Sequence, residues 1–127
     1  MSGGRYLLHS HILIWLDSGN ERLTPRVLEM LRLAEQRYLS AATAWELGLK
    51  QAAGKLRLRS PLGAMLEPFR LLELPVTIRH GDRAALLPAH HRDPFDRMLV
   101  AQALVEDLIL VTADTALAQY GVPILQV

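Results

Sequence analysis

The sequence predicts an α/β domain built on a mostly parallel sheet with helices on both faces. Two observations carry that expectation. Short apolar runs of strand character alternate along the chain with longer helical stretches, the pattern of strand–helix–strand units. The run Leu108-Ile109-Leu110-Val111-Thr112 is also apolar almost throughout, as suits a strand covered on both faces. Right-handed crossovers would then set the strand carboxyl ends along one edge, where folds of this class place their chemistry.

Taken in order, residues 6–9 read as a first buried strand, interrupted at His9-Ser10-His11 before an apolar, aromatic stretch resumes at Ile12. A helix is expected over 23–36, because Thr24-Pro25 places a capping residue before a proline at the first helical position. Residues 37–40 form a short strand, and 41–53 a helix stopped by Gly54. Its expected apolar stripe holds Ala41, Ala42, Trp45, Leu49, Ala52 and Ala53, with Glu46 at the margin. A helix over 62–69, a strand over 72–75 and a short helix over 78–87 follow. Residues 93–107 form a helix that Asp93 and Pro94 start well. Strands at 108–112 and 122–125 close the chain, with a short helical pattern at 115–120 between them.

The bulk numbers fit one domain. At 127 residues, half of them apolar and 21% charged, the chain is long enough to bury a core and too apolar to be disordered. A formal charge of +1 excludes a strongly basic, histone-like binder. It leaves room for a local basic patch, since all cations except Lys50 and Lys55 are arginine, the side chain best suited to phosphate. With no cysteine, disulfides, thiolate catalysis and zinc–thiolate sites are excluded. No apolar run approaches the roughly 18 residues of a membrane helix, and the first residues lack a signal core. The expectation is a cytoplasmic protein with residues 1–5 as a disordered extension and 6–127 as a single domain.

Three carboxylates from separate segments are expected at the strand-end edge. Asp96 lies in the first turn of the 93–107 helix, where the helix dipole favours an anion, and a metal ligand must be one. Asp114 follows the apolar strand 108–112 through Thr112 and Ala113. Glu46 sits beside the strand end at Ser40, although an ordinary i,i+4 pair with Lys50 explains it equally well. Asp93 reads first as a helix cap. Such a set of oxygens suits Mg²⁺ or Mn²⁺ and hydrolysis of a phosphodiester.

Segments along nearly the whole chain resemble one family. "YLL-x-x-HILIWL", "SAATAWELGLKQAAGKLRL", "LPV", "LPAHHRDPFDRMLVAQA" and "LVTAD" through "YGVPIL" are similar to PIN-domain ribonucleases, specifically VapC toxins of type II toxin–antitoxin pairs. The resemblance implies a three-layer α/β/α domain with a five-stranded parallel sheet. It implies a Mg²⁺-dependent endoribonuclease, a homodimer, and a small antitoxin (VapB-like) covering an acidic crevice. It assigns the acidic set to Glu46, Asp96 and Asp114, with Thr112, Asp93 and Ser10 as accessories.

The departure lies at His9, where the family carries aspartate as the first metal ligand. Imidazole has no negative charge and suits Mn²⁺ or other transition metals better than Mg²⁺. Three consequences stay open: a weakened or dead nuclease, a working one with changed metal preference, or a core histidine with the site re-formed around Glu46, Asp96 and Asp114. A zinc site on His9 and His11 is the least supported. The enzyme thus stands against a rival, an inactive module that still dimerises and binds an antitoxin. For RNA contact the candidates are Lys50, Lys55, Arg57, Arg59, Arg92 and Arg97; "KLRLRSP" also reads as an edge segment with its leucines inward. His90 and His91 read as loop residues within reach of RNA.

Overall fold

In the computed structural model, which describes residues 4–127, the five apolar runs form one parallel sheet. The strands are β1 (Arg5–Leu8), β2 (Gln36–Ser40), β3 (Leu72–Leu74), β4 (Ile109–Thr112) and β5 (Ile124–Gln126), in the order β3-β2-β1-β4-β5. The helices are α1 (Ser10–Ser18), α2 (Pro25–Arg32), α3 (Ala41–Ala52), α4 (Ile78–Ala85) and α5 (Pro94–Glu106). Single-turn 3₁₀ segments cover Leu62–Met65 and, slightly longer, Thr115–Tyr120. The strand order reverses at β1, which pairs with β2 on one side and β4 on the other. A crevice therefore opens beyond the carboxyl ends of β1 and β4, the point where sheets of this type hold ligands.

Alternation along β1 divides the interior in two. Tyr6 and Leu8 enter a core with Ile12, Leu13, Val27, Leu31, Leu39 and Val111, covered by α1 and α2. Leu7 enters the other, with Leu99, Val100, Ala103, Leu110 and Leu117, covered by α5 and the 3₁₀ segment after β4. The helix–sheet–helix layering expected from the sequence is present.

Local signals set most element ends. Thr24 Oγ1 accepts the Val27 N–H at 3.3 Å, and Asp93 Oδ1 accepts those of Phe95 and Asp96 at 2.8 and 3.3 Å. Each cap satisfies donors that a helix start leaves unpaired. Gly54, at φ +74°, lies just past the end of α3, in a conformation that costs glycine little.

Several expectations are corrected. Arg5 belongs to β1 rather than to an extension, while residues 1–3 lie outside the described residues. The aromatic stretch after His9 is a helix, α1, ended by Gly19 at φ +65°. The helix expected over 23–36 stops at Arg32, because Gln36 is drawn into β2 opposite Arg5. That over 62–69 is one 3₁₀ turn; Pro68 has no N–H to continue a helical ladder. The buried face of α3 also differs, consisting of Ala42, Thr43, Glu46 and Leu47, with Trp45 65% and Leu49 48% exposed. Wheel position alone could not tell which side of that stripe faces the sheet.

One buried polar side chain ties the layers together. Gln102 of α5 accepts from Ser40 Oγ at 2.6 Å and donates to the Pro75 carbonyl at 3.2 Å, joining α5 to the ends of β2 and β3.

A candidate metal centre at the carboxyl edge of the sheet

Three chain segments meet at the crevice. His9 caps the junction of β1 and α1, Asp96 stands in the first turn of α5, and Thr112 and Asp114 end β4 and follow it. A fourth comes from the loop before α5, which delivers His91. His91 Nε2 lies 3.4 Å from Asp96 Oδ2 and 3.5 Å from Asp114 Oδ2. Ligand atoms of these three residues all fall within 4.8 Å of one another, the one group of this kind among the described residues.

Glu46 is not part of that group. Its carboxylate accepts from Ser10 Oγ at 2.5 Å and pairs with Lys50 Nζ at 3.0 Å, although the side chain is buried. Of the three carboxylates expected to share one ion, Asp96 and Asp114 lie together with His91, while Glu46 is engaged by Ser10 and Lys50 outside that group. Ser10, expected as an accessory, donates its hydroxyl to Glu46. The sequence did carry a signal for His91, since it lies five residues before Asp96, but nothing in the sequence shows that the loop folds back over the helix start.

His9 is almost wholly enclosed, at 2% exposure. Its Nε2 lies 2.7 Å from Asp96 Oδ1, and its Nδ1 2.7 Å from Thr112 Oγ1, which in turn accepts the Asp114 N–H at 2.9 Å. One proton arrangement satisfies every member: the Thr112 hydroxyl donates to Nδ1, and Nε2–H donates to Asp96. Both ring nitrogens are then engaged, so His9 acts as a brace between β4 and α5 and has no lone pair left for a metal. His9 is thus buried and engaged at both ring nitrogens, and the cluster beside it holds His91, with Glu46 outside.

Asp96 feels opposing influences. Burial pushes its carboxyl up, but the hydrogen bond from His9 and the electrostatic attraction of the surrounding His9, His91 and His11 rings outweigh this, and the carboxyl lies below its usual range. A carboxylate depressed in the folded state stabilises the protein above the unfolded pKa, and the gain fades as pH falls through the folded value. Urea midpoints should thus fall for the native chain as pH drops below about 4, the ordinary carboxylate value, and fall less for Asp96→Asn. Equal acid sensitivity in the two proteins would contradict the assignment.

The donor set fits a divalent ion, with one adjustment. Neighbouring donor atoms about 2.1 Å from an ion in octahedral array stand roughly 3.0 Å apart, so the 3.4 and 3.5 Å separations from His91 Nε2 would close slightly around such an ion. Asp114 Oδ1 accepts the Ala116 N–H at 3.0 Å, leaving Oδ2 turned to the cluster. His91 Nδ1, however, accepts the Asp93 N–H at 3.3 Å, which places the neutral ring's proton on Nε2. His91 could join an ion only once that proton moves to Nδ1 and the long contact opens. Two carboxylates and one imidazole favour a transition metal such as Mn²⁺ over Mg²⁺.

The expected RNA contacts divide in two. Arg97 is spent on the fold: Nη1 donates to the carbonyls of Pro88 and His91 at 2.9 and 3.4 Å, and Nη2 to those of Ala84 and Leu87 at 3.0 and 2.9 Å. It ties the end of α4 to the loop that carries His91. Lys50 is paired with Glu46. Lys55, Arg57, Arg59 and Arg92 are exposed, while Leu56 and Leu58 turn inward against the core.

Fold and crevice together define a parallel α/β domain with an acidic, histidine-bearing cluster at its switch point, able to hold a divalent cation. The chain belongs to the PIN domain family, whose model matches residues 6–123. It is similar in structure to a chain of VapBC2 from Rickettsia felis bound to a DNA fragment from their promoter. The TM-score is 0.73 at 16% identity, covering 95% of this chain and 97% of that one. A toxin–antitoxin complex from Klebsiella pneumoniae gives 0.66 at 24%, covering 95% and 96%. DNA-bound VapBC from Salmonella typhimurium gives 0.67 at 18%, covering 99% and 98%. At these identities the likeness is one of fold. No curated protein matches the chain. Among the described residues, no helix is long and apolar enough to cross a membrane.

Proposed function

We propose that the chain is the toxin of a toxin–antitoxin pair, acting in the cytoplasm as a metal-dependent endoribonuclease whose rate is held down by His9. The observation that carries this reading is the meeting of Asp96, Asp114 and His91 at the switch point of a PIN domain. The crystallised chains of the same fold come from toxin–antitoxin complexes, which supports an antitoxin as the partner. A homodimer is part of the same reading.

Asp96, Asp114 and, after its proton shift, His91 would hold the ion; Mn²⁺ suits them better than Mg²⁺. Such an ion supplies Lewis-acid polarisation of a phosphodiester and a more acidic water. The chain's own residues do the rest. His9 fixes the Asp96 carboxylate by withdrawing Oδ1, which leaves Oδ2 alone for the site. Arg97 positions the His91 loop. Lys50 offsets the charge of Glu46, so that Glu46 adds no free anion at the crevice. The exposed Arg92 and Lys55 are available to phosphates, giving salt-dependent affinity without sequence choice.

The second reading, a binding module that dimerises and engages an antitoxin without cleaving RNA, is favoured by the engagement of both His9 nitrogens. Incubation of the purified chain with structured RNA separates the two. Slow cleavage is expected, faster with Mn²⁺ than Mg²⁺, stopped by chelator and reduced at least tenfold in Asp114→Asn, in line with loss of a metal ligand. No Mn²⁺-dependent cleavage at high protein concentration would leave the binding module.

A further inference from the structure

An apolar pocket of about 370 Å³ opens between α1, α2 and the turn before β3, and it shares no residue with the His91–Asp96–Asp114 cluster. Leu16, Leu28, Leu31, Phe69 and Leu71 line it. Two of them, Leu28 and Phe69, are 43% and 37% exposed, so part of that apolar wall is open to water.

Arginines share the lining. Arg32 is matched by Glu29 at 2.6 Å, but Arg37 and Arg70 form no ion pair among the described residues. Half-buried Arg37 donates to the carbonyls of Leu31, Ala34, Phe69 and Arg70 at 2.9, 3.5, 3.3 and 3.1 Å. Those four neutral acceptors leave its charge unmatched and one of its five N–H groups free. Arg70 is exposed and sits at φ +53°, a conformation that glycine adopts at little cost and arginine does not. An arginine kept where glycine would be easier, beside an apolar pocket, is the kind of local strain that accompanies a functional contact.

A ligand with the opposite arrangement fits this lining. Apolar carbon would displace water from the leucines and Phe69, and a carboxylate accepts paired N–H groups from a guanidinium in one plane. We infer that the pocket binds a small anionic amphiphile, an acyl carboxylate. Its tail lies against Leu28, Leu31 and Phe69, and its head is held by Arg70 and the free N–H of Arg37. The volume falls at the small end of ligand pockets, roughly 300–1,000 Å³, room for one acyl chain rather than for a folded segment of protein. The site stands apart from the nuclease reading, and its test involves no RNA.

Octanoate, octan-1-ol and octyltrimethylammonium share one chain and differ in the charge of the head. Each is titrated into the full-length protein by calorimetry at pH 7, below its micelle concentration. Saturable one-to-one binding of octanoate is expected, about tenfold tighter than the alcohol, with none by the ammonium. Arg70→Gln should weaken octanoate about tenfold, the scale of one charge-assisted contact, and leave the alcohol unchanged. Arg70→Gly should lose the same affinity yet melt no lower than the native chain, because it removes the left-handed arginine. A purely structural Arg70 would not give that pair of results. Leu28→Ser should weaken acid and alcohol alike. Failure of octanoate to saturate, or equal binding of acid, alcohol and ammonium, would overturn the site and leave the pocket to a protein partner. Octanoate affinity unchanged in both Arg70 variants would overturn it as well.

Discussion

His9→Asp is expected to raise Mg²⁺-dependent RNA cleavage by about 10–100-fold, the range by which metal-site partners change activity. The imidazole now takes Asp96 Oδ1 at 2.7 Å and encloses the crevice beside β1. A carboxylate there would release that oxygen and add a second anion, the oxygen-rich setting that Mg²⁺ requires. The same change should cost stability without metal. Asp96 loses its donor and faces a like charge, for about 1–3 kcal/mol. Saturating Mg²⁺ should restore the loss, since ligand at a hundredfold excess over Kd contributes about 2.7 kcal/mol. Cleavage rates with Mg²⁺ and Mn²⁺, paired with melting curves with and without Mg²⁺, test both halves. A variant that gains neither activity nor Mg²⁺-dependent stability would show that His9 is not what restrains the site.

The largest loss of stability is expected from Gln102→Leu, about 2–4 kcal/mol by urea unfolding. The buried glutamine joins Ser40 Oγ at 2.6 Å to the Pro75 carbonyl at 3.2 Å. Leucine would fill much of the volume yet strand both partners, and each unsatisfied buried group costs about 1–3 kcal/mol. Ser40 also caps α3 by accepting the Ala42 N–H at 3.1 Å, so the effect should reach the helix that carries Glu46. In the double variant with Ser40→Ala the losses should add to less than their sum, because one stranded group disappears. Full additivity would refute the shared network.

Where an element's signal lies within the element, it was legible in the sequence. Thr24-Pro25 and Asp93-Pro94 start α2 and α5 as expected, and the apolar 108–112 run is the buried strand β4. The ends set by a distant partner were not. Gln36 leaves α2's expected span because β1 needs a neighbour, and α1 was obscured by the polar His9-Ser10-His11 break at its start. The site divides in the same way. Asp96 and Asp114 occupy the crevice foreseen for them, whereas Glu46 is withheld by Ser10 and Lys50, and Arg97 by four backbone carbonyls.

The sequence by itself determined the parallel α/β architecture, the family, and the two aspartates at the strand-end edge, because periodicity, capping and short motifs act over a few residues. Only the tertiary structure decided which polar groups face one another. It brought His91 between Asp96 and Asp114, and it closed both nitrogens of His9 onto partners 87 and 103 positions away. A hydrogen bond of 2.7 Å depends on where separate elements pack, and no local pattern encodes that distance.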